Sequence, residues 1–133
     1  MGNYKFDLDL PEGIAGEDFI KDLLSGDRGK IEVKRDFIVS STGNIAIEYE
    51  CRGQKSGIAK TEAMWWAIIC DGNIFAHQLI LFISTKRLKE IALKYYRSGK
   101  HTNGGDDNKS KMILVPISEF VKRRYAIPQY EFI

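Results

Sequence analysis

The 133-residue chain carries 20 Lys and Arg against 18 Asp and Glu, a formal net charge of +2, with 44% hydrophobic and 29% charged residues. This balance fits one domain with one hydrophobic core and excludes a disordered chain. Net charge alone is too small to mark a polyanion partner, and two cysteines, Cys51 and Cys70, are too few for a disulfide framework.

The N-terminal "MGNYKFDLDLPEG" lacks the apolar stretch of a signal peptide, and the longest apolar run, "LILFI", is far too short to cross a membrane. A cytoplasmic protein with reduced thiols is expected, in the host cell cytoplasm if the chain is viral, with no membrane partner. In chain order, residues 14–25 read as a helix with a stripe of Phe19, Ile20, Leu23 and Leu24, stopped by Gly26. Residues 30–39 and 45–52 alternate apolar with polar and read as two strands joined by the turn "SSTGN". Residues 59–70, "AKTEAMWWAIIC", read as a second helix. Trp65 and Trp66 cannot both face one core, so one is expected to be partly buried. "LILFIS" (79–84) reads as a buried strand, and Thr85 as the cap of a basic helix from Lys86 to about Arg97. The glycine-rich "SGKHTNGGDDNKS" reads as a mobile loop, "KMILVPI" as a strand and "EFVKRR" as a short last helix. His77 and His101 are isolated and read as structural or exposed. The order α-β-β-α-β-α-β defines a small single α/β domain with a central mixed sheet and flanking helices.

The first two strands carry the chemistry. Ile31, Val33, Phe37 and Val39 share one face of the first strand, with Arg35 among them, and Glu32, Lys34 and Asp36 share the other. On the second strand Ile45, Ile47, Tyr49 and Cys51 oppose Ala46, Glu48, Glu50 and Arg52. A hairpin closing around Thr42 sets Glu32 opposite Arg52, Lys34 opposite Glu50, and Asp36 opposite Glu48. The first two pairs are complementary. The third is like-charged, and opposed carboxylates destabilise a ladder unless a proton or a cation neutralises them. Clustered carboxylates with open coordination positions suit Mg²⁺.

Asp36 followed by Glu48-Tyr49-Glu50, behind a helix bearing Glu17, resembles the PD-(D/E)XK nuclease superfamily of restriction endonucleases, phage exonucleases and Holliday-junction resolvases. The resemblance covers roughly residues 14–70. It implies a restriction endonuclease-like fold and an endonuclease of phage or mobile-element type that hydrolyses DNA, with RNA as the other substrate, as a homodimer. It implies Asp36, Glu48, Glu17 and Glu50 as ligands for Mg²⁺, with Mn²⁺ as substitute, and Asp36, Glu48, Glu50, Lys34 and Lys60 as catalytic. Glu50 departs from the family, which usually has lysine there, and Lys34 or Lys60 is the candidate replacement. A second register stays open: Glu32-Val33-Lys34 is itself a (D/E)-x-K, with Asp27 or Asp22 upstream. Gln54, Lys55 and Ser56, and the basic run of Lys86, Arg87, Lys89 and Lys109, are the expected nucleic-acid contacts. From Lys86 to Lys111 eight Lys and Arg stand against three Asp and Glu. The alternative is a non-catalytic nucleic-acid-binding module on a degenerate nuclease fold. A third reading is a structural or interaction protein with solvated strands.

Overall fold

The computed structural model describes the backbone of residues 3–71 and 79–121, and side chains from residue 14 onward. His77 and the end of the expected last helix lie outside the described residues. The elements are α1 (Asn3–Ser25), β1 (Ile31–Asp36), α2 (Val39–Thr42), β2 (Asn44–Cys51), β3 (Gln54–Lys55), β4 (Trp65–Cys70), β5 (Leu79–Ser84), α3 (Thr85–Arg97), β6 (His101–Gly104) and β7 (Ser110–Pro116), with short 3₁₀ turns at Gly57–Ala59, Asp106–Asn108 and Ile117–Val121. The class is α/β, as expected. Among the described residues no helix is long and apolar enough to cross a membrane.

The strands form two sheets. The first has the order β1-β4-β5 and is mixed: β1 runs parallel to β4, and β5 antiparallel to it. The second has the order β3-β2-β7-β6 and is antiparallel. The core lies where the sheets and α3 meet, around Ile45, Ile47, Ile68, Leu88, Ile113 and Val115. On α3 the buried residues Leu88, Ile91 and Ala92 recur at helical spacing, while Lys and Arg occupy exposed positions. The Ser84 hydroxyl accepts the Arg87 N–H at 3.2 Å, so the cap is one residue before the expected Thr85. Behind β7, Glu119 takes the Lys94 ammonium at 3.1 Å and the Tyr95 hydroxyl at 2.9 Å, which ties α3 to the end of that strand.

Three expectations are corrected. First, residues 59–70 are not a helix. A 3₁₀ turn ends at Ala59, and Trp65–Cys70 is β4, the middle strand of its sheet. β4 is also buried or half-buried along its whole length, so both its faces are apolar and imitate a helical stripe. Trp66 is 2% exposed in the core. Trp65 is half-buried, as expected of one member of the pair: its ring meets Phe19 edge-on at 5.6 Å and its indole N–H donates to the Arg28 carbonyl at 2.9 Å. Second, "LILFIS" is an edge strand with Leu79, Ile80 and Phe82 exposed, rather than a buried one. Third, His101–Gly104 inside the expected loop is a strand paired to β7.

The hairpin expectation also changes. β1 and β2 belong to different sheets, so Glu32, Lys34 and Asp36 have no ladder partners on β2. The segment between them turns through α2, and β2 takes β7 as its neighbour, pairing Ile45 with Val115 and Ile47 with Ile113. Four buried β-branched side chains on one face outweigh the few tenths of a kcal/mol that each charged pair would contribute.

Gly57 holds the turn after β3 against β2. Its φ is +51°, and a Cβ there would sit 2.1 Å from the Glu48 carbonyl oxygen. The close approach is therefore to the protein's own backbone. Replacing Gly57 with Ala is expected to cost about 2 kcal/mol or more, through a left-handed φ and a steric clash together. A urea melt reads the loss directly, and an unchanged midpoint would remove Gly57 as the spacer.

Candidate active site

Asp36 ends β1 and is 8% exposed. One carboxylate oxygen, Oδ1, accepts the N–H groups of Ile38 at 3.0 Å and Val39 at 2.9 Å, at the start of α2. The other, Oδ2, accepts the Ala46 N–H of β2 at 3.0 Å. One side chain thus closes the α2 turn and fastens the second sheet to the end of β1. Charge-assisted bonds of this kind are each worth about 1.5–3 kcal/mol. Asp36 needs no Glu48 opposite it to explain its burial: three backbone dipoles meet the carboxylate.

Glu48 approaches the same place from β2. Its Oε1 accepts the Ser110 hydroxyl at 2.6 Å, which holds the carboxylate against β7. Lys34, Arg35, Asp36, Ala46, Glu48 and Trp66 are among the residues around one cavity of about 200 Å³. The two expected principal ligands therefore line one cavity, from strands of different sheets instead of from one hairpin. Lys34 is held at 3.3 Å by Glu32 on the same face of β1. Arg35 is ion-paired with Asp71 and lies over the Phe37 ring at 5.2 Å. The buried indole N–H of Trp66 has no hydrogen-bond partner among the described residues.

Glu50 does not join Glu48. On the β2–β7 ladder Glu48 lies opposite Met112, but Glu50 lies opposite Lys111, so Tyr49 is one residue too many for the partner strand. Such a bulge restarts the alternation and turns Glu50 to the other face of the sheet. There its carboxylate binds Lys111 at 2.9 Å and borders a different hollow, with Arg52 and Lys109. Glu17 is exposed on α1 and Lys60 is exposed after the 3₁₀ turn, and neither lines the Asp36 cavity. Among the described residues no group of three or more His, Cys, Asp or Glu is gathered to hold a metal ion.

The expected nucleic-acid contacts are dispersed. Gln54 and Lys55 are exposed on the edge strand β3, and the Ser56 hydroxyl is buried with no hydrogen-bond partner among the described residues. Lys86 and Lys89 border a hollow beside Trp65, Arg87 pairs with Glu90 at 3.0 Å, and Lys109 faces the Glu50 hollow. Cys70 is fully buried, and burial, then the carboxylates of Asp36 and Asp71, push its thiol up. It is a core thiol and no nucleophile. Sequence reasoning missed Ser110 and Trp66 as neighbours of the carboxylates, because only the β7 and β4 pairings bring them there.

No protein family, curated protein or solved structure matches the chain.

The Asp36 bonds generate a test. Asp36→Ala leaves three backbone donors without their acceptor and is expected to cost about 3 kcal/mol or more. Asp36→Asn keeps one acceptor oxygen and brings an NH₂ against a backbone donor, so it is also expected to lower stability, by less. Urea midpoints of both variants check this. A rise for Asp36→Asn would instead report relief of repulsion between carboxylates.

Proposed function

We propose that the chain is a divalent-metal-dependent nuclease that hydrolyses DNA phosphodiester bonds, with the cavity at the seam of the two sheets as its active site. One observation carries the reading: Lys34, Asp36 and Glu48, from two strands of different sheets, line one cavity. The donor set fits Mg²⁺, which takes one or two carboxylates and fills its remaining positions with water and phosphate oxygens. Asp36 Oδ2 accepts a single N–H and keeps a lone pair for an ion, and Glu48 supplies the second carboxylate, steadied by Ser110. Mg²⁺, when bound, acidifies water and neutralises phosphoryl charge. Lys34 binds the scissile phosphate and offsets the charge that develops on it. Glu32 restrains the Lys34 ammonium until a phosphate displaces it. The role that the family gives to a lysine on the second strand falls to Lys34 on the first.

The non-catalytic alternative, a nucleic-acid-binding module, is favoured by one specific observation. Asp36 already receives three backbone N–H groups, so its carboxylate is explained as a clamp without any ion.

Nicking of supercoiled plasmid in Mg²⁺ or Mn²⁺ separates the two. Glu48→Gln keeps an oxygen for Ser110 and removes the charge. It is expected to leave the unfolding free energy within about 0.5 kcal/mol of wild type and to slow cleavage about a hundredfold or more. Lys34→Met is expected to slow it about a hundredfold. Wild-type protein that cuts nothing in either ion supports the binding module, and a Glu48→Gln variant as active as wild type removes the site assignment.

A further inference from the structure

A second concave surface shares no residue with the Asp36 cavity. A groove of about 370 Å³ opens between α3 and β2, walled by Tyr49, Ile58, Lys89, Leu93, Tyr96 and Ile113. That is the size range of small-ligand pockets. Tyr96 is 44% exposed. It meets the Tyr49 ring edge-on at 5.5 Å and lies tilted by 31° over His101 at 5.2 Å. Tyr49 and Tyr96 give the groove an aromatic wall that suits a flat, polarisable partner, and His101 continues the ring row beside it.

The surroundings are cationic. Of the α3 cations Lys89 lines the groove, while Arg87 is paired with Glu90 and Lys94 with Glu119 elsewhere on the helix. Next to the groove lies a hollow of about 550 Å³ bordered by Arg52, Asn103, Asn108, Lys109, Lys111 and Glu50. Glu50 and Lys111 neutralise each other at 2.9 Å, which leaves Arg52 and Lys109 as the net positive charge of the hollow. The two surfaces adjoin. The Glu50 hydrogen bond and charge hold the Lys111 ammonium above its ordinary range, and the Tyr49 and Tyr96 hydroxyls add to the effect from the groove side. On β6, His101 of the ring row and Asn103 of the hollow are two residues apart, on one face of the strand.

We propose that groove and hollow together bind unpaired nucleic acid, with a base against Tyr96 and its backbone phosphates on Lys109 and Arg52. An aromatic platform flanked by cations suits a strand whose bases are free to stack on protein rings, and a duplex offers no such face. The proposal rests on the nucleic-acid part of the reading above, and it needs neither a metal nor cleavage.

The test is fluorescence anisotropy with a labelled short oligothymidylate and with a labelled duplex, both in EDTA. Wild-type protein is expected to bind the single strand more tightly, with affinity falling as salt rises. Tyr96→Ala is expected to weaken single-strand binding about tenfold, and Tyr96→Phe to restore it. Lys109→Ala is expected to flatten the salt dependence. Equal single-strand affinity for Tyr96→Ala and wild type overturns the proposal, as does a Tyr96→Phe variant as weak as the alanine. No oligothymidylate binding by wild type also overturns it and leaves the groove to a protein partner. Protein that binds in EDTA but cuts nothing in Mg²⁺ or Mn²⁺ defeats the nuclease reading and leaves this one standing.

Discussion

The Asp36 carboxylate is the constraint on which the arrangement of the two sheets depends. It sits at the end of β1, which pairs with β4 along one edge and ends its sheet among the described residues. Its two oxygens reach the start of α2 on one side and Ala46 of β2 on the other. A side chain thereby replaces the ladder that a hairpin would have supplied. The same bonds fix where the chain leaves the first sheet, how sharply it turns, and where the second sheet begins. The cavity that brings Lys34 to Glu48 is a product of that junction. A clamp of this kind fixes orientation as well as distance, because three N–H groups from two elements converge on two oxygens.

What could be read from the chain beforehand followed from how local each signal is. The α3 helix and β7 carry strong short-range patterns, and both were legible. The α/β class was legible for the same reason. β4 was not, because a strand covered on both faces has no alternation to display. The pairing of β1 with β2 was inferred from charges that matched on paper. Complementary charge cannot identify a neighbour when four buried aliphatic side chains on β2 and β7 select another. In the candidate site, the alternation makes Asp36 and Glu48 ladder partners, whereas they line one cavity from strands of different sheets. That arrangement depends on α2, which a four-residue helix in a Ser- and Thr-rich segment does not advertise.

The cavity and the groove divide the chemistry of the molecule. The first is small and mixed, with fixed carboxylates and a lysine held in reserve. The second is larger and aromatic, with exposed cations on its margin. The proposed nuclease activity would give a reason to separate them. Groups that hold a strand must tolerate many positions of the chain, whereas groups that act on one phosphate must be held still. Ser110 on Glu48 and Glu32 on Lys34 supply that stillness in the cavity.

The bulge at Tyr49 has a consequence for how the tripeptide Glu48-Tyr49-Glu50 is interpreted. A motif of the form acid-x-acid is an odd–even code: it means two groups side by side only while the strand keeps count. One surplus residue resets the count, and the same three letters then address two different compartments. Glu48 is delivered to the carboxylate cavity and Glu50 to the basic hollow. Read as letters the tripeptide pairs two carboxylates; read along the backbone it sends one to each side of the sheet, and Glu50 meets Lys111 instead of Glu48.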